Sequence, residues 1–190
     1  MGNYEVRSSK VSYAGDLSTV RVDEVAMPDG DVAKREIVEH ANAVAVVALH
    51  PDGTVVLIRH YRHAVGDRML EIPAGKLDVD GEAPPDAARR ELAEEVGLEA
   101  GDLLRLVHFH NSAGWSDEAT TVYLAQDVQP CATPDGFTAA HEEADIEVIQ
   151  LPLDEALAQI DAGAITDAKT VIGLLLAARH LANDSGSGTS

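Results

Sequence analysis

Four glutamates lie close together in the stretch ARRELAEEVGLE, residues 88–99. On a helix of 3.6 residues per turn, Glu91 and Glu95 lie one above the other and Glu94 adjoins them. Like charges at this spacing cost about 0.2–0.5 kcal/mol per pair, and only Arg90, four residues before Glu94, is placed to offset one of them. A divalent cation would reverse this repulsion, and carboxylate oxygens suit Mg²⁺ or Mn²⁺. The spacing therefore weakens the interpretation of a solvated acidic face and makes a metal site the alternative to it.

Local signals predict the helix that carries these glutamates. Pro84 and Pro85 suit a first helical turn, and Gly97 suits the left-handed residue that ends a helix. These signals predict a helix over residues 84–96. Its predicted apolar stripe, on a face separate from the carboxylates, consists of Ala88, Leu92 and Val96.

The sequence patterns of the rest of the chain predict strands followed by two further helices. The runs AVAVVALH and TVVLIRHYR flank Pro51–Gly53, which predicts a hairpin in a core sheet. Further strands are predicted for LLRLVHFHN, ATTVYLAQDV and DIEVIQL, and helices for DEALAQIDAG and DAKTVIGLLLAARHLA. The last segment is apolar nearly all round, so we expect it to be buried. The pattern indicates an α+β fold with a mixed sheet.

Three regions are predicted along the chain. Residues 1–40 form an N-terminal β appendage of three strand-like runs separated by turn signals, and residues 41–182 form the main domain. Residues 183–190, which end in SGSGTS, are expected to be a disordered tail.

Composition excludes several classes of function. The formal net charge is −19, with 33 acidic against 14 basic residues, so we expect neither nucleic acid nor an anionic membrane as a partner. No apolar run is long enough for a membrane span or resembles a signal peptide, and the single cysteine, Cys131, allows no internal disulfide. These features predict a cytoplasmic protein.

The segment GKLDVDGEAPPDAARRELAEEVGL, residues 75–98, resembles the Nudix box. That pattern reads glycine, five residues, Glu, seven residues, Arg-Glu, an aliphatic residue, any residue, Glu-Glu, any residue, glycine and an aliphatic residue. The positions in register are Glu82, Arg90, Glu91, Leu92, Glu94, Glu95, Gly97 and Leu98. In this chain six residues, not five, separate Gly75 from Glu82, and the extra one falls in the loop before the helix.

Over roughly residues 20–182 the chain resembles the ADP-ribose pyrophosphatase branch of that family. The resemblance implies a Nudix αβα sandwich, an N-terminal β region that pairs two subunits into a homodimer, and hydrolysis of ADP-ribose to AMP and ribose 5-phosphate. Ala113 stands where the branch usually has proline. This departure keeps open the same chemistry on NADH or a nucleotide sugar. A non-catalytic Nudix domain that senses a nucleotide is a further alternative.

The resemblance also implies roles for particular residues around a Mg²⁺ site that Mn²⁺ could also fill. Glu91 and Glu95 are the principal expected ligands, Glu94 is an additional ligand or a water-mediated contact, and Ala74 contributes its carbonyl. Either Glu142 or Glu143 would be the general base, and family position favours Glu143. The residues expected to shape the motif are Gly75, Arg90 and Gly97.

Two arginines and a tryptophan complete the candidate residues. Arg62 resembles an arginine that the branch uses near the phosphates and the terminal ribose. Arg35 resembles an arginine that the branch uses near the adenine, across the subunit boundary. Guanidinium groups suit both roles, since they recognise phosphates and rings. Surface ion pairs are the alternative for both. Trp115 either shields the site or packs in the core, and we expect the core.

Overall fold

The computed structural model describes residues 4–132, 134, 136–139 and 144–187. The chain divides into two compact units. One consists of Met1–Asn42 with Phe109–Thr120, and the other of Ala43–His108 with Thr121–Ser190.

The first unit is built on an antiparallel three-stranded sheet in the order β1-β2-β3. Its strands are β1 (Glu5–Ala14), β2 (Ser18–Ala26) and β3 (Val32–His40). The predicted turn between the last two contains Gly30 at φ 95°, where a side chain would be strained. The segment Phe109–Thr120 joins β3 through backbone hydrogen bonds, including Val38 N–H to the Trp115 carbonyl at 2.8 Å. The three predicted N-terminal strands are therefore present as one sheet.

In the part of the chain that the structure describes, the remaining elements are nine strands and three helices, and two of the strands, β8 and β11, pair with each other outside the larger sheet. The strands are β4 (Ala43–Leu49), β5 (Thr54–Arg62), β6 (Asp67–Glu71), β7 (Ala74–Lys76), β8 (Leu98–Glu99), β9 (Leu103–His110), β10 (Ala119–Gln126), β11 (Gln129–Pro130) and β12 (Glu147–Pro152). The helices are α1 (Pro84–Val96), α2 (Leu153–Asp161) and α3 (Ala168–Ser187). In the described residues, seven strands form one sheet in the order β12-β5-β4-β10-β9, with β6 paired to β5 and β7 to β4.

Strand β4 lies inside this sheet and is buried on both faces. Alternate residues of a strand point to opposite faces. Val46 belongs to the core cluster that contains Leu92 of α1, whereas Val47 contacts the position of Gly173 in α3. Helices therefore cover both faces of β4, which explains its unbroken apolar sequence. The predicted α+β class, with a mixed sheet between helices, is confirmed.

Helix α1 begins and ends where the local signals predict. Pro84 lies in its first turn, where a missing N–H costs no hydrogen bond. Gly97 ends the helix at φ 63°, and its N–H donates to the Ala93 carbonyl at 3.1 Å. The side chains of Ala87, Ala88 and Leu92 are buried, so the helix holds its acidic face away from the core.

Helix α3 is less buried than its sequence predicts. Leu174 and Ala177 are fully buried, but the Leu175 residue is 51% exposed. The expectation of burial nearly all round is therefore wrong, because only one face of the helix packs on the sheet.

The same helix continues to Ser187, into the segment for which a disordered tail is predicted. The His180 and Asp184 side chains lie 3.2 Å apart at i,i+4, a spacing that supports the last turns. No helix in the described part of the chain is long and apolar enough to cross a membrane.

Candidate active site

Strand β7 runs against the acidic face of α1. The Glu91 carboxylate lies so close to Gly75 that an ideal Cβ on that glycine would be 1.8 Å from Glu91 Cδ. One residue earlier, the Ala74 N–H donates to Glu95 Oε2 at 2.9 Å. Only glycine allows this approach of backbone to carboxylate. The backbone of β7 and two carboxylates of α1 therefore form one small cluster.

Arg90 lies between three carboxylates. Its Nε and Nη2 donate to the two oxygens of Glu82, each at 3.0 Å, and its Nη1 donates to Glu91 at 2.7 Å and to Glu94 at 3.1 Å. The hydrogen bond to Glu82 is the main cause that raises the pKa of Arg90. From helical spacing, Glu94 alone is expected to be an acidic partner of Arg90 on the helix. That expectation is wrong, because Nη1 reaches the carboxylate of the adjacent Glu91 as well.

The extra residue in the loop before α1 does not separate Glu82 from the helix. The Glu82 N–H donates to the Val79 carbonyl at 3.1 Å, and Gly81 adopts φ 79° between them. This turn takes up the additional residue and returns the chain so that Glu82 meets Arg90.

Electrostatics disfavour the charged forms of Glu91 and Glu95. Burial raises the pKa of Glu95 to about 8, and the nearby Glu91 adds to the rise, while the Ala74 hydrogen bond opposes it. Burial also raises the pKa of Glu91, with Glu94 adding to the rise and Arg90 opposing it. A divalent cation beside these groups would favour their ionised forms.

The donor set fits a hard divalent cation. Hydrogen bonds among the described residues engage one oxygen each of Glu91, Glu94 and Glu95, which leaves the other oxygen of each carboxylate available. As they stand, no three His, Cys, Asp or Glu side chains of the described residues converge into a metal cluster. Binding would therefore require these carboxylates to move closer together, and the assignment of these ligands stays a prediction.

Arg62, the predicted phosphate contact, ends β5 in an ion pair with Glu71. Its Nε and Nη2 each donate to a different oxygen of Glu71 at 2.7 Å. Lys169 also pairs with Glu71, whose side chain is only 1% exposed. Burial would raise the pKa of Glu71, but Arg62 and Lys169 outweigh it and lower the pKa to about 2. The Arg62 pKa is raised, mainly by the Glu71 hydrogen bond, and Glu95 lies close enough to contribute.

Glu71 and Lys169 were not among the sequence candidates. Glu71 lies inside the apolar run MLEIPAG and Lys169 directly precedes the apolar run VIGLLL, and a charged residue in such a place is the signal that could have marked them. Their pairing joins positions 98 residues apart, which no local pattern reveals.

The remaining candidate residues from the sequence are Arg35, Trp115, Glu142 and Glu143. Arg35 belongs to the three-stranded unit, where its Nη1 donates to the Lys34 carbonyl at 2.8 Å. Trp115 is 57% exposed, so the expectation of a core position is wrong. Its backbone is held in a turn by Ser112 and Val38, which leaves the indole outside. Glu142 and Glu143 lie outside the described residues.

Comparisons with known proteins agree with the motif. The model of the NUDIX domain matches residues 39–172. The ADP-ribose pyrophosphatase of Mycobacterium tuberculosis is 40% identical over 91% of this chain and 82% of its own length. The methanol dehydrogenase activator of Bacillus methanolicus is 38% identical over 85% of each chain. A solved structure described as "Crystal structure of ADP compounds hydrolase" superposes with a TM-score of 0.81 at 24% identity, covering 98% of this chain and 97% of that one.

Proposed function

The chain belongs to the Nudix family and is a Nudix hydrolase. We propose that it hydrolyses the diphosphate bond of ADP-ribose to AMP and ribose 5-phosphate. The M. tuberculosis relative that carries this name supports the substrate. The observation that carries the chemistry is the packing of Glu91 and Glu95 against the backbone of Gly75 and Ala74.

Glu91, Glu95, Glu94 and the carbonyl of Ala74 would hold Mg²⁺ or Mn²⁺. When bound, such a cation neutralises phosphate charge and makes a water nucleophilic at neutral pH. The chain supplies the carboxylates that position the cation, and Arg90 orients Glu91 and Glu94 through its hydrogen bonds. This arrangement also answers how a chain of net charge −19 accepts an anionic substrate.

In the reaction, the oxygen of a water molecule bonds to one phosphorus while the bond from that phosphorus to the bridging oxygen breaks. Each product then carries one phosphate, and the proton of the water passes to a general base. We assign this base to Glu143, with Glu142 as the alternative. Arg62 would contact the phosphates, since part of its guanidinium faces solvent beside Glu71.

A second candidate is the same hydrolysis of another nucleoside diphosphate, such as NADH or a nucleotide sugar. Ala113 favours it, because a proline at this place is typical of the ADP-ribose branch. Ala113 is exposed in the first unit. The two candidates differ in substrate alone.

The oligomeric state, the cellular location and the partners are also proposals. Every residue of β1 is exposed, and Val6, Val11 and Tyr13 are more than half exposed. Exposed apolar residues on a sheet favour association, so we propose a homodimer formed through the N-terminal strands, with Arg35 serving the partner's adenine site. A single-chain mass in light scattering at assay concentration would contradict this. Cytoplasmic location, and the absence of nucleic-acid or membrane partners, stay predictions from the sequence.

Phosphorus NMR tests the proposed reaction. Purified protein is incubated with ADP-ribose, NADH or GDP-mannose, with Mg²⁺ or with a chelator. We expect AMP and ribose 5-phosphate from ADP-ribose in the presence of Mg²⁺ and neither product with chelator. Faster cleavage of another compound would move the substrate to the second candidate, and binding without cleavage of any compound would favour the nucleotide-sensing alternative.

A further inference from the structure

Four charged side chains form a network around the end of β6 that the reaction described above uses only in part. Arg62 pairs with Glu71 through two hydrogen bonds, Lys169 pairs with the same carboxylate, and Lys169 Nζ lies 3.0 Å from Asp167 Oδ1. We name these residues, Arg62, Glu71, Asp167 and Lys169, the Arg62 network. Its formal charges sum to zero, so each ion has a partner of opposite sign.

The N-terminus of α3 holds this network in place. Asp167 precedes the helix, and its Oδ2 accepts from the Thr170 N–H at 3.0 Å and from the Thr170 hydroxyl at 2.6 Å. The hydroxyl oxygen in turn accepts from the Ile72 N–H at 2.9 Å. Thr170 is fully buried. These hydrogen bonds therefore fix the position of Lys169 relative to Ile72, the neighbour of Glu71.

Exposure differs sharply across the network. The side chains of Glu71 and Lys169 are 1% and 15% exposed, whereas that of Arg62 is 39% exposed. Within the described residues, the hydrogen bonds of the Arg62 guanidinium use Nε and Nη2. Among the described residues, no hydrogen bond engages its Nη1. Arg62 is therefore the cation of the network that is most accessible to an anionic ligand, and Lys169 is the less accessible one.

We propose that Lys169 is a positioning residue for substrate binding: by sharing the Glu71 carboxylate, it keeps the Arg62 guanidinium electropositive toward the substrate diphosphate. This inference rests on the proposed function. With Lys169 present, the single negative charge of Glu71 is divided between two cations. Without Lys169, the whole negative charge of Glu71 would act on Arg62, and Asp167 would lose its cationic partner. The attraction of Arg62 for phosphate oxygens would then fall.

Lys169→Met tests this role in steady-state kinetics with ADP-ribose and Mg²⁺. Arg62 contacts the phosphates before and during the reaction, so weaker contact should raise KM about tenfold and change kcat less than about threefold. Lys169→Arg, which keeps the charge, should restore KM toward the wild-type value. Arg179→Met, which makes the same change of net charge at an exposed position further along α3, is the matched control and should leave KM unchanged.

A double-mutant comparison separates this role from a purely structural one. If Lys169 acts through Arg62, then Lys169→Met should not raise KM further in an Arg62→Ala background. Equal increases in both backgrounds would overturn the proposal. So would a Lys169→Met variant with lower thermal stability but wild-type KM. If the Met variant does not fold, as judged by circular dichroism, Lys169→Gln is measured in its place and read in the same way.

Failure of the proposed function would look different. A wild-type protein that cleaves no nucleoside diphosphate would overturn the proposed reaction. Normal wild-type cleavage with an unaltered KM in the lysine variant would overturn the positioning role alone.

Discussion

Glu71 and Glu95 carry the same side chain, yet their neighbours shift the two pKa values in opposite directions. Burial acts to raise both pKa values, but Glu71 has two cationic partners and its pKa falls to about 2. Glu95 has a backbone N–H and a nearby carboxylate, and its pKa rises to about 8. Glu71 is therefore a permanent anion at neutral pH, whereas Glu95 needs a cation to become one. This difference separates a carboxylate that stabilises the fold from one that we propose as a metal ligand.

The Glu71 pKa predicts how the free energy of unfolding depends on pH. The folded-state pKa lies below the ordinary value of 4.5, so the ionised form stabilises the fold above pH 4.5 and this contribution is lost as the pH falls toward 2. A shift of this size corresponds to about 3 kcal/mol. Urea unfolding should show wild type losing more stability than Glu71→Gln over this range, since glutamine does not titrate.

Wild type and Glu71→Gln should also differ in stability at neutral pH. Glu71→Gln should be the less stable protein at pH 7, because Arg62 and Lys169 lose their shared anion. If the two proteins lost stability in parallel between pH 4.5 and 2, Glu71 would not carry the shifted pKa described here.

At the scale of elements, the contact of β7 with α1 depends on one missing side chain. A Cβ at Gly75 would overlap the Glu91 carboxyl group. Gly75→Ala should therefore push Glu91 aside and lower kcat/KM about 10²-fold, the effect expected when a site is misplaced by about 1 Å. Circular dichroism should show the fold retained, because the displaced group lies at the end of a side chain.

Gly101→Ala is the matched control for this substitution. Nothing lies within 4 Å of a Cβ at that position, and its backbone does not require glycine. Both variants should be measured for Mg²⁺-dependent turnover of ADP-ribose. Equal activity of the two would mean that the close approach at Gly75 has no part in the site.

Elements governed by local signals could be predicted from the sequence, and those governed by distant packing could not. Prolines at 84 and 85 and the left-handed Gly97 determine the limits of α1, and all three signals lie within or beside the helix. Burial of α3 was predicted wrongly, since an apolar sequence does not reveal how many neighbours a helix has, and Leu175 remains exposed. Trp115 is exposed for a related reason: hydrogen bonds of its backbone, not its hydrophobicity, determine where it lies.

At the scale of the whole molecule, the excess of acidic residues is compatible with an anionic substrate only if cations act at the site. The net charge of −19 disfavours the approach of an anionic diphosphate. Arg62 and Arg90 supply positive charge near the carboxylates of α1, but both are already paired with glutamates. Bound divalent cations would therefore carry most of the attraction. The family motif predicted the box residues by register, whereas the pairing of Lys169 with Glu71 emerged only from the fold.

We propose that the acidic face of α1 binds the cation that permits diphosphate hydrolysis. The most direct test is the rate of ADP-ribose hydrolysis across a range of Mg²⁺ concentrations for wild type, Glu95→Gln and Glu99→Gln, the last being an exposed glutamate just beyond the helix. We expect wild type and Glu99→Gln to respond alike, and Glu95→Gln to lose about 10²-fold or more in turnover. Wild-type turnover and Mg²⁺ dependence in Glu95→Gln would contradict the claim.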